Sequence, residues 1–459
     1  MLRTTVPALL FFLVGLGLAT QAQISFAESA AIDLNLHGPG YLFVEDLDQD
    51  GDPDVLASAE DGVLVWYENS AGVFLSAITI TDQADHILDV WAGDLDSDGL
   101  PDILCTTQTD FELALFRGTG GGAFADPEFL YTEATLIRFA VVDLDDDSDL
   151  DIVAEDGVFD RIIWFENDGA GSFSPAIEIM DGIVDPIRLT TADFNADGLP
   201  DLVFGLEAAD DLVWMRNLGA GLFAPTQLID NDVNGLRNIE VGDIDGDGDS
   251  DVLYVSSIDG ELLWRANDGS GIFGPSNVIQ DGLDGGGFAH LTDFDNDGAP
   301  DVFWAYTESF GNYSVSLREN DGAGNFSAPE FIESGIPAVV EATSADLDND
   351  GDQDLVVNYY FENDVVWYEN RLPIASSVEV QNWLDWKLAP NPATEYLQLN
   401  WLNQRQLDWE ISDMAGRILQ SGTVFGNSLR LDVSDLLPAV YLITLQQEQN
   451  KIEISVVVE

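Results

Sequence analysis

A nine-residue acidic pattern recurs seven times along the chain. It reads DLDQDGDPD at 46–54, DLDSDGLPD at 94–102, DLDDDSDLD at 143–151 and DFNADGLPD at 193–201. DIDGDGDSD follows at 243–251, DFDNDGAPD at 293–301 and DLDNDGDQD at 346–354. Successive copies start 48, 49, 50, 50, 50 and 53 residues apart. A period of that size means one supersecondary unit repeated, which buries its apolar face only against its neighbours. Residues 23–372 hold seven such units.

Each unit keeps one internal order. An apolar run enters the acidic loop, as in Phe139-Ala140-Val141-Val142, and another leaves it, as in Ile152-Val153. A third carries a tryptophan signature: Trp66, Trp164, Trp214, Trp264 and Trp367. A Gly-rich turn such as 167–173 follows, then a short run such as Ala176-Ile177-Glu178-Ile179. The runs are short, rich in β-branched and aromatic residues, and bounded by Gly, Asp, Asn and Pro, so they read as strands. Four strands in about fifty residues is a propeller blade. The expected fold is all-β: a seven-bladed β-propeller over 23–372, a linker over 373–386, and a small C-terminal β-sandwich over 387–459. The seventh unit stops at Asn370, before its Gly-rich turn and last strand. Residues 25–32 match 172–177 and so supply the missing strand, closing the ring and hiding two sheet edges.

The loops have the chemistry of a hard-cation site. The carboxylates in order are Asp46, Asp48, Asp50 and Asp54; Asp94, Asp96, Asp98 and Asp102; Asp143, Asp145, Asp147 and Asp151. The fourth loop offers Asp193, Asn195, Asp197 and Asp201, and the fifth Asp243, Asp245, Asp247 and Asp251. The sixth offers Asp293, Asp295, Asp297 and Asp301, and the seventh Asp346, Asp348, Asp350 and Asp354. Alternate residues of a tight turn project to one side. Positions 1, 3 and 5 therefore converge, the position-7 carbonyl can join them, and position 9 can close the shell in bidentate fashion. Up to seven structural calcium ions are expected. An EF-hand is excluded, because position 12 is never Glu: it is Ala57, Cys105, Ala154, Phe204, Tyr254, Trp304 and Val357. Ser148 replaces the position-6 glycine of the third loop, which is expected to be the weaker one. The alternative is an acidic surface turn without a metal.

The chain has 85 acidic against 15 basic residues, a net charge of −70. No basic stripe exists to displace phosphate counterions, so nucleic acid and anionic membrane surfaces are not partners. One cysteine, Cys105, excludes disulfides and a cysteine zinc site. No pair among His37, His86 and His290 has metal-ligand spacing. Residues 1–22 carry Arg3, an apolar run over 8–18 and small residues to Ala22, which reads as a secretory signal peptide. A membrane anchor is the alternative, but that run is short of the roughly 20 residues a span needs. No transmembrane span is expected in the mature chain.

The D-x-D-x-D-G-x-x-D loops and the Asn-Asp-Gly-x-Gly-x-Phe turns at 167–173, 267–273 and 320–326 resemble the FG-GAP/VCBS repeats, the family of the integrin α-subunit propeller. That resemblance implies calcium in the loops on one face and ligands on the other. It implies adhesion or glycan binding, and in a few cases catalysis. On the second face fall Arg138, Arg188 and Arg237, five or six residues before their acidic loops, with His290 in a comparable stretch of the next unit. Arginine holds carboxylate and sulfate in bidentate fashion, so these four residues are candidates for an anionic glycan or an acidic protein side chain. The alternative has each arginine neutralising a nearby Asp, such as Asp185 or Asp232. Phe111, Phe159, Phe310, Tyr313, Tyr359 and Tyr360 stack on sugars or cap blades.

After Asn370 the period ends and the charge imbalance falls; both lysines, Lys387 and Lys451, lie in this tail. Leu388-Ala389-Pro390-Asn391-Pro392-Ala393-Thr394, Asp413-Met414-Ala415-Gly416-Arg417 and 431–436 resemble the type IX C-terminal sorting domain. Val440 and Glu459 depart from its usual pattern of Gly before the Tyr and a basic end. The resemblance implies a Bacteroidetes-type Gram-negative host, contact with the secretion machinery, and a secreted or outer-membrane-surface location. The resulting reading is a calcium-stabilised propeller for adhesion or for binding a polysaccharide or protein. A polysaccharide-degrading lyase or hydrolase on the same scaffold is the alternative, since no Ser/His/Asp arrangement stands out and any one pair among so many carboxylates is uninformative.

Overall fold

The computed structural model describes residues 24–26, 30–84, 86–108, 112–134, 136–183, 186–282, 285–309, 312–336 and 339–372. In the tail it describes 386–389, 396–413, 417–433, 436, 439–447 and 450–458. The signal segment, most of the linker, Phe111, Phe310 and Asp185 lie outside the described residues. The chain divides into two compact units at Arg371/Leu372.

Among the described residues the first unit contains seven four-stranded antiparallel sheets. The innermost strands are Pro39–Glu45, Ile87–Gly93, Leu136–Val142, Pro186–Ala192, Leu236–Gly242, Gly286–Thr292 and Val339–Ala345. Each neighbours the next, and the last neighbours the first, so the sheets form a closed ring. The second strands, such as Asp151–Asp156 and Asp251–Ser256, are buried throughout. They are covered by sheets on both sides, which is why they read as apolar runs without alternation. The ring closes as the sequence match predicts. Strand Ala30–Asp33 pairs with Asp364–Tyr368, setting Ala30 opposite Trp367 and Ala31 opposite Val366. Phe26 bridges Asn370 as Phe173 bridges Asn167. Its ring packs edge-on against Phe294 and Tyr368, 5.5 and 6.5 Å away.

The tryptophan signature and the Gly-rich turn interlock between sheets. Trp66, Trp164, Trp214, Trp264 and Trp367 are all buried. The second turn glycine of the following sheet lies flat on the ring; a Cβ on Gly271 would meet Trp214 at 2.2 Å. Cys105 is buried on its strand, and burial pushes its thiol up to about 12, which leaves it inert.

In the second unit the described strands join one five-stranded antiparallel sheet. The strand Tyr396–Asp413 is shared: its first part pairs with Trp386–Ala389, its last part with Ala439–Gln447, and Ile418–Asp432 runs along its other edge. Ile411, Leu431, Val433, Ile443 and Leu445 are buried there. No helix among the described residues is long and apolar enough to cross a membrane.

Candidate functional site

Each acidic loop is folded by its own carboxylates. Position 1 accepts the N–H groups of positions 5 and 6: Asp243 takes Asp247 at 3.1 Å and Gly248 at 3.0 Å. Position 5 accepts position 7, as Asp247 does from Asp249 at 3.0 Å. Position 9 ties the loop to its surroundings. One oxygen of Asp251 accepts Ile244 N–H at 2.9 Å, and the other accepts Asn267 N–H at 2.8 Å. The same pair of bonds recurs at Asp54, Asp151, Asp201, Asp301 and Asp354. Burial pushes these position-9 carboxyls up to about 6 or 7. Asp102 differs only in tying Leu95 to Gly118.

Position 3 is what the loop leaves over. Asp145 Oδ1, Asp245 Oδ1, Asp295 Oδ2 and Asp348 Oδ1 are buried oxygens without a hydrogen-bond partner. Burial first, and then the neighbouring carboxylates, raise the pKa of Asp145, Asp245, Asp295 and Asp348. Oxygens of Asp46, Asp48 and Asp50 lie within 4.8 Å of one another, as do those of Asp94, Asp96 and Asp98, of Asp143, Asp145 and Asp147, and of Asp293, Asp295 and Asp297. In the fifth loop the group is Asp243, Asp245 and Asp251. Orphaned buried oxygens in an all-carboxylate cluster fit a hard divalent cation. In such a site positions 1, 3 and 5, or 1, 3 and 9 in the fifth loop, would hold the ion, which would cancel their repulsion.

Two loops carry counter-charges that the repeat pattern does not show. Arg117 stands at the place that Glu68, Glu166, Glu319 and Glu369 hold in four other units, and its Nη1 lies 3.2 Å from Asp96 and 3.6 Å from Asp102. In the fourth loop Asn195 Nδ2 donates to Asp201 at 2.9 Å, and Arg216 pairs with Asp197 at 2.9 Å. The third loop is not distorted by its serine. Ser148 adopts φ +77°, like the position-6 glycines, and donates to Asp143 at 3.0 Å. Position 4 is also left-handed in all seven loops, at Gln49, Ser97, Asp146, Ala196, Gly246, Asn296 and Asn349.

An asparagine after each tryptophan strand stitches neighbouring loops. Asn167 Nδ2 donates to Leu150 O at 2.9 Å in its own loop and to Leu95 O at 2.8 Å in the preceding one. Asn217, Asn267, Asn320 and Asn370 repeat this to Leu144, Phe194, Ile244 and Phe294. Asn69 completes the circle at Leu347, 2.8 Å away. The second sheet has Gly118 instead.

The other end of the innermost strands builds the channel mouth. Every one of these strands breaks register near its start, a β-bulge that re-aims side chains. Arg138, Arg188 and Arg237 meet there at a cavity of about 320 Å³, lined also by Tyr41, Ile137, Ile187, Leu236 and Glu207. Arg138 pairs with an Asp, as the neutralising alternative has it. Arg138 bonds Asp89 at 3.1 Å, approaches Glu341 at 3.9 Å, and lies over the Tyr41 ring at 4.4 Å. Asp185 lies outside the described residues, and Asp232 bonds Asn231. Neither Arg188 nor Arg237 has a carboxylate oxygen within 4.0 Å among the described residues.

His290 is not part of that cavity lining. Its Nε2 meets Ser344 Oγ at 2.9 Å, its Nδ1 lies 3.8 Å from Glu240, and Ser344 Oγ meets Thr292 Oγ1 at 2.7 Å. Ser, His and Glu thus come into file from three sheets. Burial holds His290 down at about 4 and Glu240 up at about 8. A histidine that resists protonation beside a neutral acid is a poor general base, so the file reads as mutual satisfaction of buried polar groups. Among the aromatics, Tyr359 is core and bonds Tyr368, whereas Phe159 and Phe361 are 53% and 71% exposed.

Six overlapping stretches match the FG-GAP-like repeat model: 46–105, 94–154, 143–204, 193–254, 243–304 and 293–357. Residues 387–459 match the secretion system C-terminal sorting domain. No curated protein matches the chain. Among solved structures it is similar to BBS1N in complex with ARL6DN, in a mercury-soaked crystal. The TM-score is 0.53 at 13% identity, over 76% of this chain and 97% of that one. A lead-soaked crystal of that complex gives 0.52 at 15%, over 77% and 98%. The periplasmic gluconolactonase of Pseudomonas aeruginosa, PpgL, gives 0.45 at 16%, over 64% and 85%. At these identities the first two likenesses show the β-propeller fold alone. The repeat matches span more than half of the sequence, so the chain belongs to the FG-GAP-like repeat family, with a C-terminal sorting domain that marks it for secretion or cell-surface attachment.

Proposed function

We propose that this protein is an extracellular binding module for an anionic polysaccharide, its acidic loops braced by calcium and its ligand met on the opposite face. The observation that carries the reading is the convergence of Arg138, Arg188 and Arg237 at one cavity in a chain of net charge −70. Exposed Phe159 and Phe361 on turns between second and third strands offer apolar surface for sugar rings. Remote acidic loops do not forbid an anion there. At physiological ionic strength their field is screened over about 8 Å. Calcium belongs above all to the third, fifth, sixth and seventh loops, whose position-3 oxygens are orphaned; Arg117 and Arg216 relieve the second and fourth. The mature full chain is run through gels containing hyaluronan, dextran sulfate or dextran, in millimolar calcium. Retardation by the charged polymers alone is expected. Equal mobility in all three removes the polysaccharide reading and leaves a protein ligand, and shortened polymer makes the protein an enzyme.

A further inference from the structure

We infer that Arg188 is the anion anchor of the channel mouth, holding the single carboxylate or sulfate group of one sugar unit, with Arg237 as a second donor. The inference rests on the ligand face proposed above, but it makes a narrower claim. Arg138 and Arg188 occupy the same place in successive sheets, each in a bulge where two residues oppose one. Their circumstances differ. Arg138 is fixed by Asp89, Glu341 and the Tyr41 ring. Arg188 is partly buried, and no hydrogen bond or ion pair to it is found among the described residues. The two carboxylates that it feels, Glu155 and Glu341, lie beyond ion-pair distance: Glu155 accepts Leu189 N–H through one oxygen, Glu341 approaches Arg138 at 3.9 Å, and each keeps a buried Oε2 without a hydrogen-bond partner. Burial and the like charge of Arg138 both lower its pKa.

The backbone adds a second cost. Arg188 has φ +61°, the left-handed region that a long side chain avoids. Tyr41, Arg138 and Glu341 at the corresponding bulges do not share it. Among the described residues no hydrogen bond or ion pair to the guanidinium repays that cost, and backbone strain of this kind collects at binding sites. The ligand class follows from the walls. One guanidinium fork matches one two-oxygen anion, Ile137, Ile187 and Leu236 offer aliphatic surface to a ring, and about 320 Å³ is at the small end of ligand cavities.

The test uses the full chain, with glucuronate, glucose 6-sulfate and glucose as probes in separate NMR titrations, and thermal melts of each variant. Arg188→Gly is expected to weaken binding of the charged sugars at least tenfold, while its melting temperature stays level or rises, because glycine accepts the left-handed backbone. Arg188→Lys keeps the charge without the fork and should fall between. Preference for glucuronate or for the sulfate identifies which oxyanion the anchor takes. Charged-sugar binding unchanged in Arg188→Gly, or no binding of either to the native protein, overturns the inference. So does a marked fall in melting temperature, which would make Arg188 a structural group. If the polymers fail to bind while the small anions bind through Arg188, the polysaccharide reading falls and the anchor stands.

Discussion

Replacing Asn167 by Ala tests whether the ring is stitched by single side chains. Asn167 is 2% exposed, and its amide donates to Leu95 O and Leu150 O while its oxygen accepts Gly169 N–H at 3.3 Å and Gly171 N–H at 3.1 Å. Truncation takes this partner from two carbonyls and two glycine N–H groups, at about 1–3 kcal/mol for each group left unsatisfied. Some of that is recovered by water entering from the turn, so a loss of about 4 kcal/mol is expected. Spread over the unfolding entropy of a unit this large, that lowers the melting temperature by roughly 5 °C. The control is Asn325→Ala, an exposed residue that bonds only Asp321 in its own turn. The converse change is Gly118→Asn in the sheet that lacks the stitch. A Cβ there would meet Pro101 O at 2.4 Å, so adding the side chain should destabilise. Thermal melts in millimolar calcium measure all three. An Asn167→Ala shift no larger than that of Asn325→Ala refutes the stitching argument, and a Gly118→Asn protein that melts higher refutes the steric one.

Asp245→Asn should change sign with the metal. In chelator it relieves repulsion with Asp243 and Asp247 and stabilises by about 1 kcal/mol, and in calcium it loses a ligand and destabilises by about as much; melts showing the same sign in both would remove the fifth loop as a calcium site. Glu240 is held protonated in the fold up to about pH 8 but ionises near 4.5 when unfolded, so its contribution is full at low pH and is lost as pH rises through 8. Glu240→Gln should therefore flatten the loss of stability between pH 6.5 and 9 by roughly 1–3 kcal/mol, a window in which His290 is neutral; identical wild-type and variant slopes count against this. Phe26→Ala should cost about 3 kcal/mol by emptying the contact with Phe294 and Tyr368, read by urea unfolding; a cost under about 1 kcal/mol would mean the first strand is not needed to hold the ring.

The parts of this molecule legible in its sequence are those that repeat. Strand order, the loops and the closing strand at the N-terminus all follow from period and pattern, because every copy meets the same neighbours. The tryptophans were readable as core for the same reason. The division of labour inside the loop was not. Position 9 reads only as a ligand in the pattern, which does not show its two oxygens tying Ile244 and Asn267. The asparagines are visible three residues after a tryptophan, as Asn167 and Asn217 are, but their partners lie more than seventy positions away. Arg117 escapes pattern reading because it breaks the repeat. The channel groups Asp89, Glu155, Glu240, Glu341 and Ser344 escape because the residue type changes from sheet to sheet even where the offset is shared, as at Asp89 and Glu341, and only ring closure sets them face to face. Arg138 and Arg188 look equivalent in sequence, and the backbone angle that separates them has no residue code other than glycine.

The pairing of the first strand with the last tryptophan strand has a mechanical consequence. Both ends of the ring leave it at one place, side by side and antiparallel, with Arg371 N–H bonded to Ser25 O at 2.8 Å. Drawing those two ends apart loads the bonds between them in series and opens them like a zipper, at low force. A pull that enters through the tail alone meets Asn370 first. That residue is fully buried, tied to its own loop at Gln353 and Asp354 and to the neighbouring sheet at Phe294. The ring therefore resists traction along its tail far better than separation of its two ends, a suitable asymmetry for a module held at a cell surface by one terminus.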